Sequence, residues 1–207
     1  MRFAITAPDD ALRPALQQKI DGLFFTGSHA TGLRIAQALA PKLVKLQLEL
    51  GGKDPTYVRA DADPKAAAES LADGAMYNTG QSCCSVERIY VHESIHDAFV
   101  AALVEKAGRV TLNDCEPLKG HIGPFIFVRQ PDIVSARLQD AVAKGAKIHT
   151  GGVTETLGGG LYMRPTVVTN VDHTMALMRD ETFGPILPVM RYCTVDEAVQ
   201  LANDTTF

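Results

Sequence analysis

The 207-residue sequence lacks a long apolar run, an excess of positive charge and a cysteine framework. None of its apolar stretches approaches the roughly 18 residues that a membrane-spanning helix needs, so we expect no membrane partner. A formal net charge of −4 argues against nucleic acid or an anionic surface as the main partner. Repeats and low-complexity tracts are also missing, which favours an ordinary globular chain.

Only four cysteines are present, and they are too scattered to indicate a disulfide framework. No CxxC motif occurs, and none of the six histidines completes a ligand cluster, so we expect no metal site. Thiols stay reduced in the cytosol, and a cytoplasmic location is therefore the expectation.

Apolar periodicity predicts an α/β chain throughout. A strand at 22–27, a helix at 31–40 and a strand at 43–50 form a strand–helix–strand unit, which favours a parallel sheet. Further along, strands are predicted at 55–58, 87–92, 147–150, 165–169 and 186–192. Helices are predicted from Asp63-Pro64 towards residue 77 and at 95–107, 133–143 and 195–202. The glycines at 151–152 and 158–160 are interpreted as loops without chemistry.

Cys83 is the first candidate for chemistry, because it closes a Gly-Gln-Ser-Cys motif. A cysteine thiol can attack a carbonyl and form a covalent intermediate, and Gly80 would let the chain approach a ligand closely. The alternative is that Cys83 is a small buried hydrophobe, as free cysteines often are. Cys84 fits that alternative better, since adjacent side chains usually point different ways, and Cys115 and Cys193 are assigned to it.

Glu49 is the second candidate, in the run Leu-Glu-Leu-Gly-Gly-Lys upstream of Cys83. It stands where a predicted strand meets a double glycine, and α/β proteins tend to place active sites at the carboxyl ends of strands. A carboxylate there can activate the water that releases a covalent intermediate. An exposed strand residue alternating with buried leucines explains the pattern equally well.

Two glycine-containing turns are candidate ligand sites. Gly27, Ser28 and Gly32 lie in a turn between strand and helix, where backbone amides and a helix dipole can meet phosphate. Their spacing is not GxGxxG, so a plain tight turn is the simpler interpretation. Glu181 and Phe183 precede a Gly-Pro pair; they could accept a hydroxyl group and contact an apolar ring, or simply form the turn before the next strand.

Together these motifs resemble the signatures of the NAD(P)-dependent aldehyde dehydrogenase superfamily. The matching segments, in the same order and spacing, are Leu-Glu-Leu-Gly-Gly-Lys (48–53), Gly-Gln-Ser-Cys (80–83), Glu-Thr-Phe-Gly-Pro (181–185) and Phe-Thr-Gly-Ser (25–28) with Gly32. The resemblance implies a partial aldehyde dehydrogenase-like α/β fold. In it, a remnant of a Rossmann-like cofactor domain is followed by an α/β catalytic domain. Residues 1–50 would be the C-terminal part of the NAD(P)-binding domain, and residues 51–207 an incomplete catalytic domain that bears the thiol.

The resemblance also implies a role for each candidate. Cys83 would attack an aldehyde to give a thiohemiacetal, which is oxidised to a thioester, and Glu49 would be the base that activates water to hydrolyse it. The cofactor would be NAD or NADP. Its implied contacts are Gly27 and Ser28 at the pyrophosphate, with Gly32 in the same turn, Glu181 at the nicotinamide ribose, and Phe183 and the Leu50 backbone at the nicotinamide. Asn78 and Arg88 match positions that are structural.

Full members of that superfamily are longer at both ends, so the chain is expected to be part of an enzyme that oxidises a small aldehyde to an acid. The segments with the oxyanion-hole asparagine and the lysine for the adenosine ribose would lie outside it. A homo-oligomer is expected for the full-length enzyme. A catalytically silent fragment, acting as a binding or structural module, is the alternative. Two further alternatives are a cofactor-free thiol hydrolase and an enzyme that transfers the acyl group to coenzyme A. The presence of Glu49 argues against the transfer to coenzyme A, since that transfer needs no base to activate water.

Overall fold

The computed structural model describes residue 17, residues 19–113 and residues 120–207. The internal contacts divide the chain after Gly51 into two units, Met1–Gly51 and Gly52–Phe207. The described part of the first unit is built around two strands and the helix between them, and that of the second around seven strands and five helices.

The first unit forms the strand–helix–strand arrangement that the sequence predicts. Its elements are β1 (Gly22–Gly27), α1 (His29–Leu39), a 3-10 turn (Ala40–Lys42) and β2 (Lys45–Leu50). Strands β1 and β2 pair in parallel over their full lengths. Along β2 the polar residues are exposed and the leucines are half-buried. One face of the strand therefore packs against α1, and the other face is exposed to solvent.

The second unit contains a five-stranded sheet and a separate hairpin. Its strands are β3 (Pro55–Val58), β4 (Arg88–His92), β5 (Lys147–Ile148), β6 (Thr154–Leu157), β7 (Gly160–Met163), β8 (Thr166–Thr169) and β9 (Ile186–Tyr192). The sheet order is β3–β4–β9–β8–β5, and every neighbouring pair is parallel except β5 with β8. A parallel sheet needs crossover connections, which the helices of this unit supply.

Five helices accompany this sheet: α2 (Pro64–Met76), α3 (His96–Gly108), α4 (Gln130–Ala143), α5 (Ala176–Arg179) and α6 (Val195–Asn203). Helix α2 begins as the sequence predicts. The Asp63 side chain accepts the backbone N–H of Ala66 at 2.7 Å, and proline fills the first helical position.

The sheet carries a hydrophobic core on each face. Ile89 and Val91 belong to one buried cluster, whereas Tyr90 between them belongs to the other. Successive side chains of a strand point to opposite faces, so the two clusters lie on opposite sides of the sheet. Helices α2 and α3 complete the first cluster, and α4, α5 and α6 complete the second.

The prediction for residues 147–169 is partly wrong. The glycines at 158–160 are not a plain loop between two strands. They close the antiparallel hairpin of β6 and β7, with Gly158 at φ +54° and Gly159 at φ +84°. Two successive positive φ angles form the type I′ turn, whose twist matches that of the flanking strands. Outside this segment, strands β1, β3 and β9 have the predicted bounds.

Across the residues that the structure describes, no helix combines the length and the apolar character needed to cross a bilayer.

Candidate active site

Cys83 follows a turn of left-handed backbone after helix α2. Asn78, Thr79 and Gly80 have φ angles of +50°, +61° and +70°. Such a conformation costs a non-glycine residue about 1–2 kcal/mol, so other contacts must stabilise the turn. One is at Thr79, whose hydroxyl donates to the Gly123 carbonyl at 3.1 Å and accepts the Gly123 N–H at 3.0 Å. The Cys83 side chain at the end of the turn is exposed.

The Gln81 side chain holds the same turn from the interior. Its Nε2 donates to the carbonyls of Asn78 and Pro124 at 3.3 and 3.2 Å, and its Oε1 accepts the N–H of Ile126 at 2.8 Å. Asn78 returns a hydrogen bond from Nδ2 to the Gln81 carbonyl at 2.8 Å. The glutamine of the motif is therefore a clamp, and it fixes the backbone that leads to Cys83.

Gly80 packs directly on the loop between α5 and β9. A Cβ atom at this position would lie 2.3 Å from the carbonyl oxygen of Gly184, and only glycine permits that approach. The motif that carries Cys83 and the Glu-Thr-Phe-Gly-Pro motif are thus in backbone contact.

Glu181 and Phe183 lie on that loop, both half-buried. Glu181 Oε1 accepts the N–H of Gly52 at 3.2 Å, and Arg137 donates to the Glu181 carbonyl. Burial raises the pKa of the Glu181 carboxyl, and the nearby Glu87 carboxylate adds to the rise. Because Phe183 has a φ of +52°, its backbone also needs support from its surroundings.

A buried ion pair lies beneath the loop. Lys53 Nζ contacts Glu87 Oε2 at 2.7 Å, and the Lys53 side chain is fully enclosed. Burial lowers the pKa of the Lys53 ammonium, and the Glu87 carboxylate opposes that shift. Lys53 also donates to the hydroxyl of Thr182 at 2.9 Å. The lysine of the Leu-Glu-Leu-Gly-Gly-Lys motif therefore binds the loop and does not extend into solvent.

The glycine turn of the first unit lies at the N-terminus of helix α1. Gly27 and Ser28 are exposed, and Ser28 Oγ accepts the N–H of Thr31 at 3.3 Å as the helix cap. Gly32 is buried and lies against Leu50, since a Cβ atom added to Gly32 would come within 2.5 Å of Leu50 Cδ2. The first turn of α1 carries no acidic side chain, so nothing there opposes an anion at the positive end of the helix.

Glu49 is exposed near the carboxyl end of strand β2, and its Oε1 accepts a hydrogen bond from Gln47 Nε2 at 3.0 Å. Within the first unit Glu49 is therefore an exposed strand residue, which is one of the two interpretations that its sequence pattern allows. Exposure also leaves its carboxylate free to meet water, as a general base requires.

A family model for the aldehyde dehydrogenase family matches residues 10–207. The chain belongs to the aldehyde dehydrogenase family. It is 42% identical over 185 residues to a 4,4'-diapolycopene aldehyde oxidase from Methylomonas, over 89% of this chain and 34% of that protein.

Solved structures of family members agree with the fold. A lactaldehyde dehydrogenase from Escherichia coli matches with 36% identity and a TM-score of 0.85, over 90% of this chain and 39% of that one. A betaine aldehyde dehydrogenase from Staphylococcus aureus, in complex with NAD+, matches with 35% identity and a TM-score of 0.85, over 90% and 37%. The predicted partial aldehyde dehydrogenase fold is confirmed, and the chain spans between 34% and 39% of these relatives' lengths.

In this member of the aldehyde dehydrogenase family, the second unit brings three of the predicted site residues to neighbouring loops. Gly52 connects them, since its N–H reaches Glu181 and a Cβ on it would lie 3.2 Å from the Cys83 carbonyl oxygen. Phe183 follows on the same loop as Glu181. The remaining predicted residues, which are Gly27, Ser28, Gly32, Glu49 and Leu50, belong to the first unit.

Sequence reasoning missed the supporting residues Lys53, Glu87 and Thr182. One signal was available: Glu87 and Arg88 stand side by side at the start of β4, next to the apolar run Ile89–Val91, and buried charges at such a position are usually paired. The partner could not be named, because Lys53 and Glu87 meet only after the chain has passed through helix α2.

The expectation that the other cysteines are buried hydrophobes is wrong for two of them. Cys84 and Cys193 are both exposed. Cys84 lies in the turn after Ser82, and Cys193 follows the end of β9, where the chain leaves the sheet and the core. Cys115 lies outside the described residues.

Replacing Gly80 with alanine is expected to destabilise the second unit by at least about 2 kcal/mol, from a positive φ combined with a clash against backbone. Gly159→Ala is the matched control, because φ is +84° there but no atom lies within 4 Å of the added Cβ. The measurement is urea unfolding of both variants. Equal destabilisation of the two would show that the contact with Gly184 carries no energy beyond the backbone strain.

Proposed function

We propose that this chain carries the nucleophile and the base of an NAD(P)-dependent aldehyde dehydrogenase that oxidises an aldehyde to a carboxylic acid. The observation that carries the proposal is the exposed Cys83 thiol at the end of a clamped left-handed turn that packs on the loop of Glu181 and Phe183. Membership of the family adds the reaction class. The domain assignment is part of the proposal: residues 1–50 as the end of the cofactor domain and residues 51–207 as the catalytic domain.

The residues present fit NAD or NADP. Gly27 and Ser28 stand exposed at the start of α1, with Gly32 behind them, and this arrangement suits a pyrophosphate. Glu181, half-buried and held by a backbone N–H, suits a ribose hydroxyl. Phe183 and the backbone of Leu50 would flank the nicotinamide. When bound, the cofactor supplies the hydride acceptor.

In the first half-reaction the Cys83 thiol gives its proton to water, and its sulfur attacks the aldehyde carbon to form the oxyanion of a thiohemiacetal. Loss of a hydride from that carbon restores the carbonyl and leaves a thioester on Cys83. The clamped turn contributes by keeping the thiol in one place, since misplacement of a reacting atom lowers the rate steeply.

In the second half-reaction Glu49 takes a proton from water, and the resulting hydroxide attacks the thioester carbon. The carbon–sulfur bond then breaks, which releases the carboxylic acid and returns the Cys83 thiolate. An acceptor thiol such as coenzyme A would need no base of this kind, so the presence of Glu49 favours hydrolysis.

Incubating the purified 207-residue chain with NAD or NADP and a panel of aldehydes tests the proposal directly. The expected result is reduced cofactor that appears only when an aldehyde is present. A chain that melts cooperatively but produces no reduced cofactor with any aldehyde would instead favour a silent binding or structural module. The first unit gives that alternative some support, because the large apolar side chain of Phe24 on β1 is 85% exposed.

Replacing Glu49 with glutamine is expected to separate the two half-reactions. Steady-state turnover should fall by about 10²–10⁴-fold, the usual contribution of a general base. The first turnover should survive, so reduced cofactor should appear as a burst of one equivalent per active site before the slow phase. Glu105→Gln, a change at an exposed helix residue, is the control and should leave both phases intact. Equal loss of burst and steady state in Glu49→Gln would place Glu49 outside the hydrolysis step.

A further inference from the structure

Two successive backbone amides of the Glu181 loop bind a carboxylate from the chain itself. Thr182 N donates to both oxygens of Glu87, at 2.9 and 2.7 Å, and Phe183 N donates to Glu87 Oε1 at 2.9 Å. Consecutive N–H groups that converge in this way form a concave anion site, of the type that elsewhere holds phosphate. Here the anion is internal, because Glu87 is only 5% exposed.

This carboxylate supports backbone that would otherwise be unfavourable. Phe183 has a φ of +52°, a conformation that an aromatic residue rarely adopts without compensation. The hydrogen bond from Phe183 N to an ionised acceptor stabilises it, since bonds to charged groups are the stronger class. Glu87 therefore determines where the Phe183 side chain leaves the loop.

The other side of the loop is fixed by the partner of Glu87. Lys53 Nζ binds Glu87 and the Thr182 hydroxyl, and the Gly52 N–H immediately before it binds the Glu181 carboxylate. The Thr182 carbonyl accepts from Gln130 Nε2 at 2.7 Å. Glu181 and Phe183 thus flank a residue whose N–H, carbonyl and hydroxyl are all engaged by buried side chains.

We propose that Glu87 is a positioning residue for cofactor binding. It sets the directions in which Glu181 and Phe183 face NAD or NADP, acting through the amides of residues 182 and 183 and without contact with the cofactor. The proposal rests on the function proposed above, in which Glu181 and Phe183 bind the nicotinamide riboside.

The test compares two double variants in the full chain. Changing Glu87 alone would leave the Lys53 charge buried without its partner, so Lys53→Met accompanies both changes. In Glu87→Gln/Lys53→Met the Oε1 acceptor for both amides is kept, whereas in Glu87→Leu/Lys53→Met it is lost. Both pairs are neutral and of similar volume, so their difference isolates the acceptor. Glu105→Gln is the surface control.

Two measurements are made on each variant: hydrogen–deuterium exchange at the amides of Thr182 and Phe183, and the Kd for NAD and NADP by direct binding. Relative to the glutamine variant, the leucine variant should exchange faster at these amides and bind the cofactor at least about tenfold more weakly, the scale of a buried N–H left without its acceptor. The glutamine variant is the reference, because its neutral acceptor retains most of the geometry and both variants lack the contacts of Lys53.

Unchanged exchange and affinity in the leucine variant would overturn the proposal. Equal weakening in both variants, with equal loss of melting temperature, would also overturn it, since the effect would then be structural. If the parent chain binds neither NAD nor NADP, the proposed function fails, and with it the cofactor part of this inference. The exchange measurement alone would then decide whether Glu87 holds the loop backbone at Thr182 and Phe183 in place.

Discussion

Replacing Cys83 with alanine is expected to abolish aldehyde oxidation, with a loss of at least about 10⁴-fold, as removal of a covalent nucleophile typically produces. Both half-reactions pass through a bond to this sulfur, so neither the burst nor the steady state should survive. Folding should be unaffected, because the side chain is exposed and its backbone is held by the Gln81 clamp rather than by the thiol. The measurement is reduced-cofactor production beside a thermal melt.

Cys84→Ala is the control, since it removes an exposed thiol from the adjacent position. It should retain activity and should still incorporate one aldehyde-protectable alkylating group, detected by mass at Cys83. The reverse pattern, with activity lost in Cys84→Ala and kept in Cys83→Ala, would move the nucleophile to the neighbouring residue.

Replacing Arg88 with methionine is expected to cost at least about 3 kcal/mol of unfolding free energy, the range seen when a buried hydrogen-bond network is broken. Arg88 is fully buried at the start of β4. Its guanidinium donates to the Lys53 carbonyl at 2.8 Å, to the carbonyls of Ala202 and Leu201 at 3.0 and 3.2 Å, and to the Tyr90 hydroxyl at 3.1 Å. Methionine fills much of the volume but supplies none of these donors, although the Leu201 carbonyl keeps a hydrogen bond from the Tyr90 hydroxyl at 3.3 Å.

Urea unfolding measures this loss, and Arg109→Met is its control. Arg109 is exposed and, among the described residues, pairs across one helix turn with Glu105, so its replacement should change stability by less than about 0.5 kcal/mol. A loss in Arg88→Met as small as in the control would mean that water replaces the guanidinium at the end of α6. The interpretation of Arg88 as a structural residue would then be wrong.

Sequence patterns located the elements with clear periodicity and clear ends. Strand β1 ends at glycine, and helix α2 begins at an Asp-Pro pair, so both were predictable from local chemistry. The β6–β7 hairpin was missed because its three glycines hid the alternation on either side of them. A Gly-Gly pair between alternating residues is itself a hairpin signal, and it was available in the sequence.

The residues of the candidate site likewise fall into those that a local sequence pattern predicts and those that it does not. Cys83 and Glu181 stand in recognisable motifs, so a single sequence was enough to select them. The residues that hold those motifs in place, such as Gln81 and Glu87, act through contacts with chain that is distant in sequence, and no local pattern records such contacts. Family resemblance therefore indicates the candidate roles, whereas only the folded chain shows which side chains hold the candidate residues in place.

The Gln81 clamp has a consequence for chemical ageing of the protein. Its amide must donate to two carbonyl oxygens and accept from one N–H at the same time, which a carboxylate cannot do. Hydrolysis of that single amide to glutamate would turn two attractions into repulsions between oxygen atoms. The turn before Cys83 would then lose its support through a change of one atom group, with no residue replaced by mutation.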